Sequence, residues 1–340
     1  MKTNTPFIIA EMSGNHNQSL QRALQIVDAA AEAGAHAVKL QTFTADTMTL
    51  DISDPDFVIA NPDSLRDGEK LYNLYENAHT PWSWHQAIFE RCRKHGLTPF
   101  STPFDESSVD FLESLETPIY KIASFENGDI PLLKKVAQTR KPVIISLGMI
   151  GIDEINEAIT TLEENGAGPI TILKCTSTYP ASPQNTNLMT IPDLKKRFPQ
   201  CTVGLSDHSL GISIALGAIA LGADVIEKHL TLSRTDGGVD SSFSIEPNEL
   251  KQLVEESRRV YAARGKVCYD LTDDELKSQV FRRSIYVTND ITAGDVFTKQ
   301  NIRCIRPGYG LHPRHYEDLL GKTAALHLKK GTPMKVAYAK

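Results

Sequence analysis

A (β/α)8 barrel of the TIM type, an α/β fold, followed by a smaller C-terminal domain rich in short strands and turns, is the fold class that three observations predict. Eight short apolar runs lie between residues 7 and 230, and stretches of helical period separate them. Each run ends in polar residues where a purely structural strand would simply stop. Beyond residue 264 the helical period fades and glycine turns take over. Alternating strand and helix patterns in this number suit a closed barrel. A doubly wound sheet, the structural rival, would carry a GxGxxG turn after its first strand, and the stretch after "FIIA" has none.

The first strand is read in "FIIAEM" (7–12). It runs into a polar loop in which Asn15, His16 and Asn17 form the turn and Ser19 caps the following helix. His16 is expected to brace this loop rather than to bind a metal. "LQRALQIVDAAAEAG" then places apolar residues at helical spacing and stops at Gly34. After the second strand, "AVKLQTF" (37–43), residues 44–80 make a long connection, too polar for core and expected over the barrel mouth. "WSWHQAIFERCRKHG" repeats the helix pattern and ends on Gly96. Strands three to eight follow as "TPFSTPF" (98–104), "IYKIAS" (119–124), "VIISLG" (143–148), "ITILKC" (170–175), "TVGLSDH" (202–208) and "VIEKHL" (225–230). The barrel domain is therefore expected over 1–264, a linker over 265–280 and the second domain over 281–340.

With 340 residues, 41% of them hydrophobic, the chain can build a large core and a small one. The N-terminal apolar run is too short for a signal peptide, and no segment approaches a membrane span. Five scattered cysteines without a CxxC argue for a reducing compartment and against a disulfide framework or zinc knuckle. A soluble, cytoplasmic protein is expected. The net charge of −6 conceals a split, because residues 281–340 carry 11 Lys and Arg against 4 Asp and Glu. That basic tail lacks the aromatic interleaving or recognition helix of a nucleic-acid binder. Docking on an acidic surface or steering an anionic substrate fits at least as well.

In a barrel the strand ends converge on one face, where such folds carry their active sites. The ends here bring Glu11, then Lys39 and Gln41, Ser101 and Thr102, and Lys121 with Ser124 and Glu126 just beyond. Strand five adds Ser146, strand six Thr176 and Tyr179, strand seven Ser206, Asp207 and His208, strand eight Lys228 and His229. Lys39 and Lys121, inside apolar runs, read as snorkelling side chains, as an anion clamp or as Schiff-base nucleophiles. The hydroxyls of Thr102, Ser124 and Ser146 favour the clamp, since they can donate to an oxyanion. His208 and His229 end neighbouring strands, which brings two imidazoles within reach of one ion and leaves positions open for water and substrate. The plainer alternative is a pair of ordinary polar histidines. Glu11 and Glu126 are candidates for acid and base, or else carboxylates paired with nearby lysines. "RTDGGVDSSFS" (234–244) and "RPGYG" (306–310) are loop-like and, alone, weak signals of a phosphate cradle.

Taken in order, "IIAEMSGNHN", "AVKLQTF", "STPFD", "YKIASFE", "ISLGM", "CTSTYP", "GLSDHS", "EKHLTL", "RRSIYV" and "RPGYGL" resemble the sialic acid (nonulosonic acid) synthase family. Its enzymes condense phosphoenolpyruvate (PEP) with an amino sugar. The resemblance implies a catalytic barrel, an antifreeze-like (SAF) domain and a domain-swapped homodimer in which each small domain reaches over the partner's barrel. It makes His208 and His229 ligands of a divalent metal, usually manganese, with magnesium or cobalt as alternatives. Lys39, Thr102, Lys121, Ser124, Ser146 and Ser206 are then expected to hold the PEP phosphate and carboxylate. Glu11, Gln41 and Tyr179 would face the sugar, Glu126 would assist proton transfer, and Arg306 would enter the partner's site.

Two departures from the family pattern bear on the sugar. The family commonly reads EAGxNHNG where this chain has "EMSGNHNQ", and Ser177 stands where CTNxYP has Asn. "EMSGNHNQSL" with "KLQTFTADTMTLD" resembles more closely the branch that makes pseudaminic acid, a sugar of flagellin glycosylation, from 2,4-diacetamido-2,4,6-trideoxy-L-altrose. The rival readings are a synthase of N-acetylneuraminic or legionaminic acid, a heptulosonate-type synthase acting on a phosphorylated sugar, a metal-free Schiff-base aldolase, and a carbohydrate-binding module.

Overall fold

The alternating apolar runs and helices resolve, in a computed structural model that describes residues 5–60 and 68–340, into a closed parallel barrel of eight strands. Its first half comprises β1 (Phe7–Glu11), α1 (Leu20–Glu32), β2 (Ala37–Thr42), α2 (Ala45–Met48), α3 (Leu71–Ala78), α4 (Trp82–Lys94), β3 (Thr98–Pro103), α5 (Glu106–Ser114) and β4 (Tyr120–Ile122). The second half comprises α6 (Ile130–Gln138), β5 (Val143–Ser146), α7 (Ile152–Glu164), β6 (Ile170–Cys175), α8 (Thr190–Arg197), β7 (Thr202–Asp207), α9 (Ser213–Ala220), β8 (Val225–His229) and α10 (Pro247–Ala263). Pairing of β1 with both β2 and β8 closes the ring.

Strand alternation decides what the barrel encloses, because successive side chains point to opposite faces. Phe7, Ile9, Ala37, Phe100, Ile119, Ile144, Leu173 and Val225 form a cluster of their own, which is the apolar plug inside the ring. Residues of the opposite parity, among them Ile8, Val38, Tyr120, Ile145 and Leu205, join the helices in the main core. Each fully buried aliphatic side chain of these layers contributes about 1.5–3 kcal/mol. At Gly204 of β7 a Cβ would lie 2.3 Å from Val225 O and 2.6 Å from Leu173 Cδ2, so the plug closes only because no side chain stands there.

The helices follow their sequence signals. Ser19 caps α1 by accepting a hydrogen bond from Arg22 N, and α1 buries Ala23, Ile26, Val27 and Ala30 before the left-handed Gly34 (φ +83°) turns the chain. Residues 44–80, read from sequence as a polar connection, contain α2 and α3, and 61–67 lie outside the described residues.

Lys266–Lys340 form a second compact unit. It opens with α11 (Asp273–Ser278), a short helix inside the stretch read as linker, where Thr272 and Glu275 form a capping box. Then β9 (Ser284–Val287) pairs antiparallel with β10 (Ile302–Ile305), and α12 (Tyr316–Leu319) follows. Ile285, Val287, Ile291, Phe297, Ile302 and Leu328 make its core. All five cysteines are free thiols. No helix among the described residues is long and apolar enough to cross a membrane.

Candidate active site

Two residues beyond the apolar plug, the same strand parity places Glu11, Lys39, Thr102, Lys121, Ser146, Cys175, Ser206 and Glu227 side by side inside the barrel. Lys39 Nζ lies 2.6 Å from Glu11 Oε2 and donates to Thr102 Oγ1 at 3.0 Å. Glu227 stands between the two lysines, 3.9 Å from Lys39 Nζ and 3.6 Å from Lys121 Nζ, and accepts from Ser206 Oγ at 2.9 Å. Lys121 donates to Ser146 Oγ at 2.7 Å. All four charged groups are buried.

Burial raises the Glu11 carboxyl; Lys39 opposes this only in part and the Glu227 charge adds to it. Burial would raise Glu227 too, but Lys121 and Lys39 on either side hold it below its ordinary value. The lysines divide likewise: burial lowers both, Glu11 and Glu227 more than restore Lys39, and Lys121 stays depressed. The layer therefore sets two carboxyls shifted in opposite directions against two lysines shifted in opposite directions, and its lysines and hydroxyls supply donors for a further anion.

Glu126, just past β4, has Oε2 buried without a hydrogen-bond partner, and burial pushes its carboxyl up to about 7 against the pull of Lys121. It can therefore take or give a proton at neutral pH. The stability tied to its neutral form is full below about 4.5 and is lost as pH rises towards 7, because the unfolded chain ionises first. Glu126→Gln is accordingly expected to be about 3 kcal/mol more stable relative to wild type at pH 8 than at pH 4.5. Urea denaturation at both pH values measures this, and an equal difference at the two would contradict the burial of an ionisable Glu126.

His208 and His229 face each other with ring centroids 5.2 Å apart, and Phe243 packs 5.0 Å from the His229 ring. Tyr179 lies 4.5 Å from the His208 ring. Burial, with His208 and the lysines adding to it, keeps His229 well below its usual value and so neutral. Its Nδ1 has no hydrogen-bond partner, and Asp240 Oδ2 is 3.5 Å away. His208 Nδ1 lies 3.1 Å from the Thr176 carbonyl, an engagement that leaves Nε2 for a ligand. Among the described residues no group of three or more His, Cys, Asp and Glu is spaced to hold a metal. A pair of imidazoles, one neutral with an orphaned nitrogen and one oriented by a carbonyl, does fit two nitrogen ligands of a divalent ion.

These groups open into a cavity of about 330 Å³. Of the residues singled out from sequence it is lined by Lys39, Gln41, Lys121, Ser124, Glu126, Ser146, Tyr179, Ser206, His208 and His229. Glu11 and Thr102 lie beneath, touching Lys39. Three strand-end residues turn the other way. Lys228 pairs with Asp207 Oδ2 at 2.8 Å, and Ser101 bonds Thr42 at 2.6 Å, all on the helix-facing side of the ring. Thr176 holds Lys174 at 3.0 Å.

Sequence reasoning passed over Glu227, although it shares strand parity with His229, and passed over Asp240, which comes from a loop without a periodic signal; Ser13, marked there only as a departure from the family pattern, lines the cavity. The 234–244 loop supplies the Asp240 carboxylate to the cavity rather than a phosphate cradle. The 44–80 connection is not merely polar either, since Met48, Leu74, Tyr75 and Ala78 line the cavity beside Phe43 and Phe104. His16 braces its loop as expected, bonding Thr80 Oγ1 at 3.1 Å and accepting from Gln18 N at 3.2 Å. Arg306 is exposed on the second unit, just after β10.

Comparison with known proteins gives concordant results. The NeuB family profile matches residues 26–269 and the SAF domain profile residues 282–335. Pseudaminic acid synthase of Campylobacter jejuni subsp. jejuni serotype O:2 is 43% identical over 97% of this chain and 95% of its own. N,N'-diacetyllegionaminic acid synthase of the same organism is 36% identical over 95% of this chain and 97% of its own. Among solved structures, the N-acetylneuraminic acid (sialic acid) synthetase of Leptospira borgpetersenii serovar Hardjo-bovis, crystallised with citrate, superposes with a TM-score of 0.72 at 33% identity. That match covers 81% of this chain and 90% of the other.

Proposed function

The chain belongs to the NeuB family, and from that premise we propose that it condenses PEP with 2,4-diacetamido-2,4,6-trideoxy-L-altrose and water to give pseudaminic acid and phosphate. The observation that carries this reading is the full-length likeness to a pseudaminic acid synthase, greater than the likeness to a legionaminic acid synthase, in a chain whose barrel mouth collects two buried lysines and a histidine pair. We assign the catalytic domain to 1–264, a connecting segment to 265–280 and the SAF domain to 281–340, in a soluble cytoplasmic enzyme.

Lys39, Lys121, Thr102, Ser124, Ser146 and Ser206 hold the phosphate and carboxylate of PEP, which joins a layer that supplies donors for both. Gln41 and Tyr179 face the open-chain sugar, and Glu11 acts on it from beneath through Gln41, whose amide it accepts from. His208 and His229 would hold a divalent metal, manganese by assignment, and when bound it supplies polarisation of the acceptor aldehyde. PEP C3 bonds to the aldehyde carbon, the aldehyde oxygen takes a proton, water adds at C2, and the tetrahedral carbon expels phosphate with cleavage of its C–O bond. Glu126 and Glu11, both with raised carboxyls, carry the protons. Fixing the two substrates against one another contributes as well.

The test is incubation with PEP, manganese and three acceptors, namely the altrose derivative, the legionaminic precursor and N-acetylmannosamine, followed by mass spectrometry. Pseudaminic acid is expected, and PEP labelled with ¹⁸O at the bridge should return its label in phosphate. A different sugar acid as main product, or label retained in the sugar acid, overturns the acceptor or the C–O cleavage respectively.

We further assign a homodimer in which Arg306 completes the partner's site, in keeping with the basic 281–340 segment and the acidic remainder. Arg306→Ala and Lys39→Ala chains, each inactive alone, are expected to regain part of the activity when mixed. Heterodimers without rescue would remove Arg306 from the site.

A further inference from the structure

The loop after β1 bends through three non-glycine residues in the left-handed region, Ser13 (φ 47°), Asn17 (φ 48°) and Gln18 (φ 54°). Such a conformation costs free energy in residues with a Cβ and persists where the surroundings compensate for it. Asn17 and Gln18 are repaid at the loop edge: Asn17 donates to Gly237 O at 3.2 Å, and Gln18 to Asn77 O at 3.0 Å and His79 O at 2.8 Å. Ser13, half of the Met-Ser departure singled out above, is buried and lines the cavity.

Its contacts are specific. Ser13 N donates to Glu11 Oε1 at 3.1 Å, its Oγ donates to Asp240 Oδ2, and Gln41 Nε2 donates to that Oγ at 3.2 Å. Gln41 Nε2 also donates to Glu11 Oε1 at 3.0 Å, so both amide hydrogens are engaged and Gln41 meets a ligand through its oxygen. The Ser13 hydroxyl thus occupies the Asp240 oxygen that an incoming sugar hydroxyl would otherwise bond. Phe43, Met48, Leu74, Tyr75 and Phe104 add apolar surface to this cavity.

We propose that Ser13 is a specificity-determining residue for the acceptor. By engaging Asp240 it disfavours sugars that must place a hydroxyl there, and it favours those that bring methyl carbons to the apolar wall and an amide N–H to Gln41. This rests on the function proposed above. The 2,4-diacetamido-2,4,6-trideoxy sugar has those groups at C4 and C6, where N-acetylmannosamine carries hydroxyls.

The variants Ser13→Gly and Ser13→Ala test it, the first relaxing the backbone and removing the hydroxyl, the second removing the hydroxyl alone. For both, kcat/KM for the altrose derivative relative to N-acetylmannosamine is expected to fall about tenfold, mainly through acceptor KM, with the KM for PEP unchanged. An unchanged ratio, an equal fall for both acceptors, or an effect in the glycine variant alone would overturn the role of the hydroxyl. If the wild type releases phosphate from PEP with none of the acceptors, the functional reading falls and this inference falls with it. Wild-type turnover with an unmoved ratio overturns this inference only.

Discussion

Replacing His208 or His229 with alanine is expected to lower kcat by about 10³-fold, with PEP binding retained and manganese in excess. The separation between chemistry and binding follows from geometry. The lysine and carboxylate layer that receives PEP is held by contacts of its own, Lys39 with Glu11 and Thr102 and Lys121 with Ser146, none of which involves an imidazole. The histidines face each other at the edge of that layer beside Tyr179 and Phe243. Removing one therefore leaves the anion site standing and deletes a nitrogen ligand. Phosphate release under saturating substrates measures the loss, and PEP binding followed by calorimetry measures what is retained. Wild type treated with a chelator should lose activity and regain it with manganese, while neither alanine variant responds. Normal turnover by His208→Ala would remove the pair from the reaction. Thermal unfolding serves as the control, since both rings are buried and a collapsed fold would imitate a catalytic defect.

The barrel was legible because its strands alternate so regularly. In "VIEKHL" the plug residue Val225, the buried acid Glu227 and the ligand candidate His229 share one parity, while Ile226 and Lys228 share the other. Applied strictly, that rule separates Glu227 from Lys228 and Thr102 from Ser101 without coordinates. A strand end read simply as polar mixes the two faces, which is how Lys228 and Asp207 entered the candidate set although they pair with each other away from the cavity. Asp240, and the contact Ser13 makes with it, were illegible for a different reason. Asp240 stands in a glycine-rich loop and Ser13 in a left-handed turn, and their meeting joins positions 227 residues apart that no local pattern relates. The apolar wall from the 44–80 connection escaped too, because a few hydrophobic side chains in a polar stretch declare themselves only when they reach a cavity. Raised or lowered carboxyls are likewise products of burial and neighbours, both tertiary facts.

Glu227→Leu is expected to destabilise the fold by about 3–5 kcal/mol and to abolish turnover, because among the described residues it leaves the two buried lysines with no carboxylate within 4 Å but Glu11, on Lys39. Glu227 accepts from Ser206 and lies within 4 Å of both ammonium groups, so its removal takes the acceptor from the Ser206 hydroxyl and a compensating charge from two buried lysines. Glu227→Gln keeps the shape and the Ser206 bond and should cost less. It isolates the charge: the Glu227 carboxyl is depressed in the fold, so its stabilisation is present above its ordinary 4.5 and lost as pH falls through its lower native value. Urea titration from pH 7 downward should show that acid loss in wild type and not in the Gln variant. The decisive comparison is the pair Glu227→Leu with Lys121→Met, which replaces the ion pair with packed apolar atoms and should recover most of the stability lost by the single change. Turnover should not return with it. Directly beneath, the barrel is filled by Ile9, Phe100, Ile144, Leu173 and their neighbours, so continued apolar packing one layer up is physically available to this fold. A stable and inactive double variant would show that the charged layer is retained for the anion it receives; a double variant as unstable as the single would make it part of the scaffold.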